Sequence, residues 1–511
     1  MTPKRLILGL MTFAMLFLVG ADLVSSWGKP QFASRLGLYE VDLKLQSAEW
    51  QGQNAPPIQS ALGAGNPQQE ALVAYQKVRD RAGKTFAEEL SEMSALRTQA
   101  MAPEPDAAAI AAVNDQIDQL SRKIDQQQLA IDEVDLRIGI LQALGQQIDA
   151  AQATWAPMLA KDNAIGKTAR SLSQIWGQSP RSGDVASLQK GLDGWFRDAA
   201  LKQQYQVAQQ PEQLAALQVA QQAAAQSAVV KLGITGAISI VSLLTGIGLG
   251  IWLIVQRLWK GSESVLAGVN GQTWDVKWDW EIVWQVLVVG FFFIGQVLLP
   301  TLLGGLQGAL GFTAATLSER GRALWILFGY LGLAGGGIAV LYGSIQPSLP
   351  LAENWFKVDP KSPWLKWGLG GYFVAFPIVV GVSLVNQQIW QGQGGSNPIL
   401  SIAAQNQDPA ALVLIFITAA IAAPFFEETL FRGFLLPSLT RYMPTWGAIG
   451  LSSLIFALVH LSLSEVLPLT ALAIVLGFVY TKTQNLLASM LLHSLWNSGT
   501  LIALFLLGGA G

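Results

Sequence analysis

The sequence predicts an all-α membrane protein, a polytopic bundle of about nine transmembrane helices with an N-terminal helical, coiled-coil insert outside the membrane. Three observations predict it. Of 511 residues, 51% are hydrophobic and 13% charged, with a mean hydropathy of +0.38; in a soluble enzyme about a quarter are charged. Apolar runs of spanning length recur through the second half of the chain. The polar stretch ahead of them carries a heptad pattern. A net charge of −2 holds no basic excess that would draw nucleic acid. Cysteine is absent, which excludes a thiol nucleophile, thiolate zinc sites and disulfides. Any metal would need His, Glu, Asp or Asn ligands.

In chain order, residues 1–27 form a membrane anchor. Met1–Arg5 is short and basic, Leu6–Val24 is apolar, and Val24-Ser25-Ser26 is a mediocre leader-cleavage site, so the run reads as a retained helix. Residues 28–228 are polar, rich in Gln and Ala, and hold no spanning segment. Ile110, Val113, Ile117, Leu120, Ile124, Ile131, Val134, Ile138, Leu141 and Ile148 follow alternating steps of three and four in which only Gln127 and Gly145 fill apolar slots, a coiled-coil seam. Leu72, Tyr75, Ala82, Phe86, Leu90, Met93 and Leu96 match it more loosely. Ala102-Pro103-Glu104-Pro105 would break the helix between them, giving an antiparallel hairpin that serves either as a plain bundle or as an arm for a protein partner. A third helical stretch, Pro211–Ser227, leads to the membrane.

Residues 229–364 supply further transmembrane helices, and residues 365–511 the last group. The apolar runs are 232–255, 282–312, 323–345, 367–390, 409–441, 445–463, 466–481 and 484–508. With Met1 inside, the inner segments carry Lys4, Arg5, Arg257, Lys260, Lys277, Lys357, Lys361, Lys366, Arg441 and Lys482; the outer ends carry Lys231, Arg320 and Arg322. The bias places the N-terminus in the cytoplasm and 28–228 outside it, in a plasma or an internal membrane.

Chemistry is expected where charges stand in apolar sequence, because ionisable groups at membrane depth are costly and functional by default. Glu427, Glu428 and Arg432 lie in PFFEETLFRGF, and the chain's two histidines, His460 and His493, lie in later apolar runs. Glu428 and Arg432 are four apart and share a helix face, while Glu427 points about 100° away. Phe456 and His460, and His493 and Asn497, repeat the four-residue step. Glu427 and His460 each lie ~24 Å from the turn at Met443-Pro444, and His493 falls within a few ångströms of their depth. A carboxylate and an imidazole can together deprotonate water; a second imidazole and an amide can donate to an oxyanion. The rival arrangement is a three-ligand zinc site of Glu427, His460 and His493, although no H-E-x-x-H helix is present.

These residues resemble a known family. EETLFR at 427–432 is similar to the E-E-x-x-x-R motif of the CAAX protease and bacteriocin-processing (CPBP, or Abi) family, whose archetype is the Ras-converting CAAX endopeptidase. FALVH at 456–460 and HSLWN at 493–497 resemble its second and third motifs, F-x-x-x-H and H-x-x-x-N. The resemblance covers roughly residues 365–510. It implies an intramembrane endopeptidase core there, with Glu427 and His460 activating water, His493 and Asn497 stabilising the oxyanion, and Glu428, Arg432 and Phe456 in support. It also implies a protein or peptide substrate, prenylated in the CAAX case, reached from membrane lipid. The family is often called a metalloprotease family, so zinc stays open beside the metal-free scheme. CAAX endopeptidases act from the cytosolic side, whereas the count sets this site nearer the face opposite Lys482 and Arg441. The 28–228 insert is a second departure.

Blander readings stand beside these. Glu428–Arg432 alone reads as a structural ion pair, and a lone membrane histidine as a helix-to-helix hydrogen-bonding group. Trp278, Trp280, Trp364 and Trp446 read as interfacial belt residues, and Gly335-Gly336-Gly337 as close helix packing. The different-class alternative is a non-proteolytic membrane scaffold, or a partner-binding protein, that uses the same polar cluster structurally.

Overall fold

A computed structural model describes residues 2–29, 31–52, 55, 57, 65–100, 107–269, 271–314, 316–405 and 408–508. They form two compact units, one of residues 1–33 and 237–509, the other centred on residues 34–236. Helix α1 (Pro3–Ser26) opens the first. The second holds α2 (Phe32–Ala48), α3 (Pro67–Ala100), α4 (Ala107–Leu144), α5 (Ile148–Trp155), α6 (Ala164–Ile175), α7 (Val185–Gly191) and α8 (Gly194–Val207). The 50-residue α9 (Pro211–Lys260) joins the 211–227 stretch and the first apolar run into one helix. The first unit continues with α10 (Trp280–Leu310), α11 (Glu319–Ile345), α12 (Trp364–Trp390), α13 (Pro398–Gln405), α14 (Pro409–Leu439), α15 (Thr445–Leu458), α16 (Val466–Thr483) and α17 (Leu486–Gly508). The described residues contain no strand. The chain is an all-α polytopic membrane helix bundle.

In the second unit α3 and α4 pack antiparallel. Arg79 pairs with Asp135 (3.2 Å), Gln127 donates to the Ala82 carbonyl (3.1 Å) and Lys123 pairs with Glu89 (2.7 Å), the partner index falling as the first rises. Leu120, Ile131, Ile138 and Leu141 of the predicted seam are buried. Two expectations change. Leu90 is 45% exposed and Glu89 takes the inward position. The seam also stops at Leu144, since Gln146 has φ +62° and Ile148 begins α5. The Ala102-Pro103-Glu104-Pro105 break lies outside the described residues. The core forms around Trp155, whose indole N–H donates to the Leu136 carbonyl at 3.3 Å. That ring lies across α4 at Gly139, where a Cβ would fall 2.2 Å from it. Nearby, the Tyr75 hydroxyl donates to Asp42 at 2.7 Å. Burial pushes the Asp42 carboxyl up to about 6, against the opposing pull of the Tyr75 bond and of Arg137.

In the first unit, eight described helices, α9 among them, are long and apolar enough to cross a membrane. The run at 445–463 yields only the 14-residue α15. Its end has a local cause. The His460 ring Nδ1 bonds the Phe456 carbonyl at 2.8 Å, and the His460 backbone N–H turns to Ala457 instead (3.3 Å). Leu461 follows with φ +56°, so His460 sits in a turn and not on the helix. Trp278 is also not a belt residue: it is 3% exposed, donates to Ser438 Oγ at 2.9 Å and packs on Trp355 and Phe434. Trp280 and Trp446 remain exposed.

The ends of the bundle differ in character. At one, Lys4 and Arg5 pair with Glu281 (3.0 and 2.7 Å), Arg441 donates to the carbonyls of Val276 (3.3 Å) and Trp278, and Leu486 N–H bonds the Lys357 carbonyl (2.9 Å). At the other, α1 is tied to the turn that follows His460. Ser26, 2% exposed, accepts from Leu463 N–H at 3.1 Å. Gly394 N–H donates to the Trp27 carbonyl and Ser464 N–H to that of Gly394, both at 3.1 Å. Gly394 has φ +100° and a Cβ there would fall 2.7 Å from Ser464, so both conformation and space call for glycine.

Candidate active site

The site is built on α14, which is not a regular helix. Ala423–Glu428 is α-helical, flanked by wider π-helical stretches at Ile417–Ala422 and Thr429–Leu435. Pro424 accounts for part of this. It has no N–H, so the carbonyls four and five residues back, Ala420 and Ala419, lose the partner that either helix type would supply. At membrane depth such groups must be satisfied by neighbouring side chains. Ser494 Oγ donates to Ala420 O at 2.5 Å and Asn497 Nδ2 to Ala419 O at 2.7 Å. The break in α14 is thereby stitched to α17.

One turn on, Glu427 and Glu428 have different surroundings. Glu428 is 0% exposed, and its Oε1 accepts from Arg432 Nη1 at 2.8 Å and from His493 Nδ1 at 2.9 Å. Arg432, 1% exposed, also reaches the Ala473 carbonyl at 3.2 Å and stacks 4.5 Å from the centre of the Phe456 ring. Glu427 keeps 15% side-chain exposure. Its Oε1 accepts from the Tyr330 hydroxyl at 3.0 Å, and its Oε2 stands 3.9 Å from His493 Nε2.

Phe456 is the hub of this cluster. Its ring contacts Arg432 and lies 5.0 Å from the His460 ring and 5.7 Å from that of His493. A carbonyl can only accept, so the His460 bond to Phe456 O puts a proton on Nδ1 and leaves the neutral ring's Nε2 as a lone pair. Glu427, Glu428, Arg432, Phe456 and His493 thus form one contiguous network, and His460 joins it through Phe456. Asn497 stands one turn along α17 from His493, with one amide proton committed to Ala419. His493 is seven residues into α17, or ~10 Å from its start. That puts the site closer to the Lys482 end than the count along the sequence suggests. Among the described residues no group of three or more His, Asp or Glu is placed to hold a metal ion.

Three features escape the sequence motifs: Tyr330, Ser494 and the role of Pro424. Tyr330 offers only a faint signal, seven residues ahead of Gly337 on one helix face. A Cβ on Gly337 would fall 2.8 Å from Phe426, so the tight packing read from the glycine run is what brings α11 against the glutamate helix.

Residues 409–499 match the family described as type II CAAX prenyl endopeptidase Rce1-like. A curated protein of Bacillus subtilis (strain 168), named "Putative membrane peptidase YdiL", is 25% identical over 145 residues, which are 27% of this chain and 54% of that protein. The chain therefore spans about half the length of the curated relative it matches. No solved structure matches it significantly. All three sequence motifs fall inside the matched stretch, and the structure folds their residues into one cluster. Over these C-terminal helices the chain is similar to the Rce1-like family of CAAX prenyl endopeptidases.

Proposed function

We propose that this protein is an intramembrane endopeptidase that hydrolyses peptide bonds with an activated water. The observation that carries the reading is the 3.9 Å gap between Glu427 Oε2 and His493 Nε2. It is too long for a direct hydrogen bond, yet a water could lie about 2.8 Å from both atoms. Glu427, the one partly exposed acid of the pair, takes a proton from the water, and the hydroxide forms a bond to the scissile carbonyl carbon. The carbonyl π electrons move to oxygen. His493 Nε2–H and the second Nδ2 proton of Asn497 donate to that oxyanion. Collapse breaks the C–N bond, and the proton returns from Glu427 to the leaving amine. His460, with a bare Nε2, is the second base on the water. Because His493 Nδ1 already bonds Glu428 Oε1, donation from Nε2 needs a proton on both ring nitrogens.

The route is read as metal-free because a carboxylate and an imidazole can activate water without a metal, and its test is activity that survives chelation; loss on chelation with rescue by zinc would overturn it. The matched family suggests prenylated CAAX-type peptides as one substrate class. Membrane lipid surrounds the site, and the 28–228 domain could recruit a protein partner. The basic end of the bundle faces the cytoplasm in this reading and residues 28–228 lie outside; protection of that domain from protease in intact cells would reverse the orientation. The scaffold alternative rests on the buried Glu428–Arg432–His493 network. The deciding experiment is cleavage of internally quenched peptides, with and without a farnesylated cysteine, by purified wild type, Glu427→Ala and His460→Ala. Cleavage by wild type alone is expected. Cleavage that persists in both variants sinks the mechanism.

A further inference from the structure

We infer that Tyr330, on a helix outside the matched 409–499 stretch, is the positioning residue for the catalytic carboxylate; the inference rests on Glu427 acting as the base. A glutamate side chain has three rotatable bonds, so a base on membrane-buried backbone needs an anchor to present one oxygen in one place. Glu428 finds its anchor in Arg432 and His493. For Glu427 the anchor is Tyr330, whose hydroxyl donates to Oε1 at 3.0 Å. With Oε1 held, Oε2 is the oxygen turned towards His493 Nε2 at 3.9 Å.

The chemistry of the anchor matters. An arginine or lysine here would hold the carboxylate but would also quench its basicity by direct ion pairing. A phenol, neutral through the physiological range, fixes direction while leaving the negative charge in place. The anchor is itself held. The Tyr330 ring packs edge-on against Phe426 (6.3 Å, 82°), the residue before Glu427. Two turns along the same face of α11, Gly337 lets Phe426 approach. The aromatic ring and the glycine therefore set the depth of α11 against α14, and the hydroxyl reads out that setting at the carboxylate.

The test is steady-state cleavage of the same quenched peptides by full-length protein in lipid nanodiscs. Tyr330→Phe keeps the ring against Phe426 and removes only the donor. Its kcat is expected to fall roughly 10- to 100-fold, the cost of losing a hydrogen bond to a charged group, with KM within about twofold and an unchanged Tm. A Tyr330→Phe kcat within about twofold of wild type, beside an inactive Glu427→Ala, overturns the inference and leaves the protease reading intact. A fall in kcat matched by a lower Tm or a proportionate rise in KM assigns Tyr330 to packing and also overturns it. Activity retained in Glu427→Ala, or none in wild type, removes the protease reading itself and the inference with it.

Discussion

The buried ion pair makes the sharpest test of how the site is held together. In Arg432→Met the side-chain volume is roughly kept, but Glu428 loses the 2.8 Å bond from Nη1 while remaining 0% exposed. Leaving one partner of a buried pair uncompensated costs about 3–5 kcal/mol. Two smaller losses add to this: the bond to the Ala473 carbonyl and the stacking on Phe456. Neutralising both partners, in Glu428→Gln with Arg432→Met, removes the stranded charge. The double variant should recover most of the loss, because apolar or neutral replacements of whole buried pairs are often nearly neutral. The coupling energy is therefore expected to be about 2–4 kcal/mol. Ordinary hydrogen bonds between membrane helices couple by only about 0.6 kcal/mol on average, so this value would stand clear of background. Reversible unfolding in mixed micelles titrated with denaturing detergent, run on the four proteins of the cycle, measures it. Additivity within about 0.5 kcal/mol would refute the reasoning, since Glu428 would then draw no net stabilisation from Arg432. Peptide cleavage should stay low in the double variant, because His493 has lost its carboxylate.

Other predictions follow from single contacts. Phe456→Leu should cost far more activity than stability, since volume is retained while the surface shared by Arg432, His460 and His493 is lost; Phe456→Ala should cost about 3–5 kcal/mol as well. Ser494→Ala strands the Ala420 carbonyl and should destabilise by about 1–3 kcal/mol. Adding Pro424→Ala restores an N–H to that carbonyl and should return part of the loss in the same unfolding assay. Asp42, raised to about 6 by burial, holds its proton in the folded state at pH values where the unfolded chain has released it. Stability of the 34–236 unit should accordingly fall as pH rises from about 4 to 6. Asp42→Asn should flatten that slope in hydrogen exchange of peptides from α4 and α8; an unchanged slope would mean another group is responsible.

The spanning helices are legible because lipid selects for uninterrupted apolar sequence. The charged cluster is legible because Glu427, Glu428 and Arg432 have no reason to sit in such sequence unless paired or used. What stays hidden depends on contacts between distant segments. A single tyrosine in an apolar span has no periodic signature, so nothing near Tyr330 announces Glu427. The four-residue step from Phe456 to His460 looks helical, yet the imidazole competes with its own backbone for the Phe456 carbonyl and ends the helix there. Trp278 looks like an interfacial anchor until Ser438 and Phe434 are seen to enclose it. Pro424 reads as a helix blemish from sequence; only the side chains of α17 reveal where the freed carbonyls go.

The bond between Ser26 Oγ and Leu463 N–H joins residues 437 positions apart, and its consequence is temporal. At about 5–20 residues per second, roughly 20–90 s of synthesis separate the first helix from the turn it must grip. Through that interval α1 is already in the bilayer with its seat unmade, and the turn carrying His460 takes its final form only when both have arrived. Assembly of the site is thus a late event that waits on nearly the whole chain. A ribosome stalled before residue 463 would leave the glutamate helix without Ala473 and His493, the partners of Arg432 and Glu428 that are still to be made.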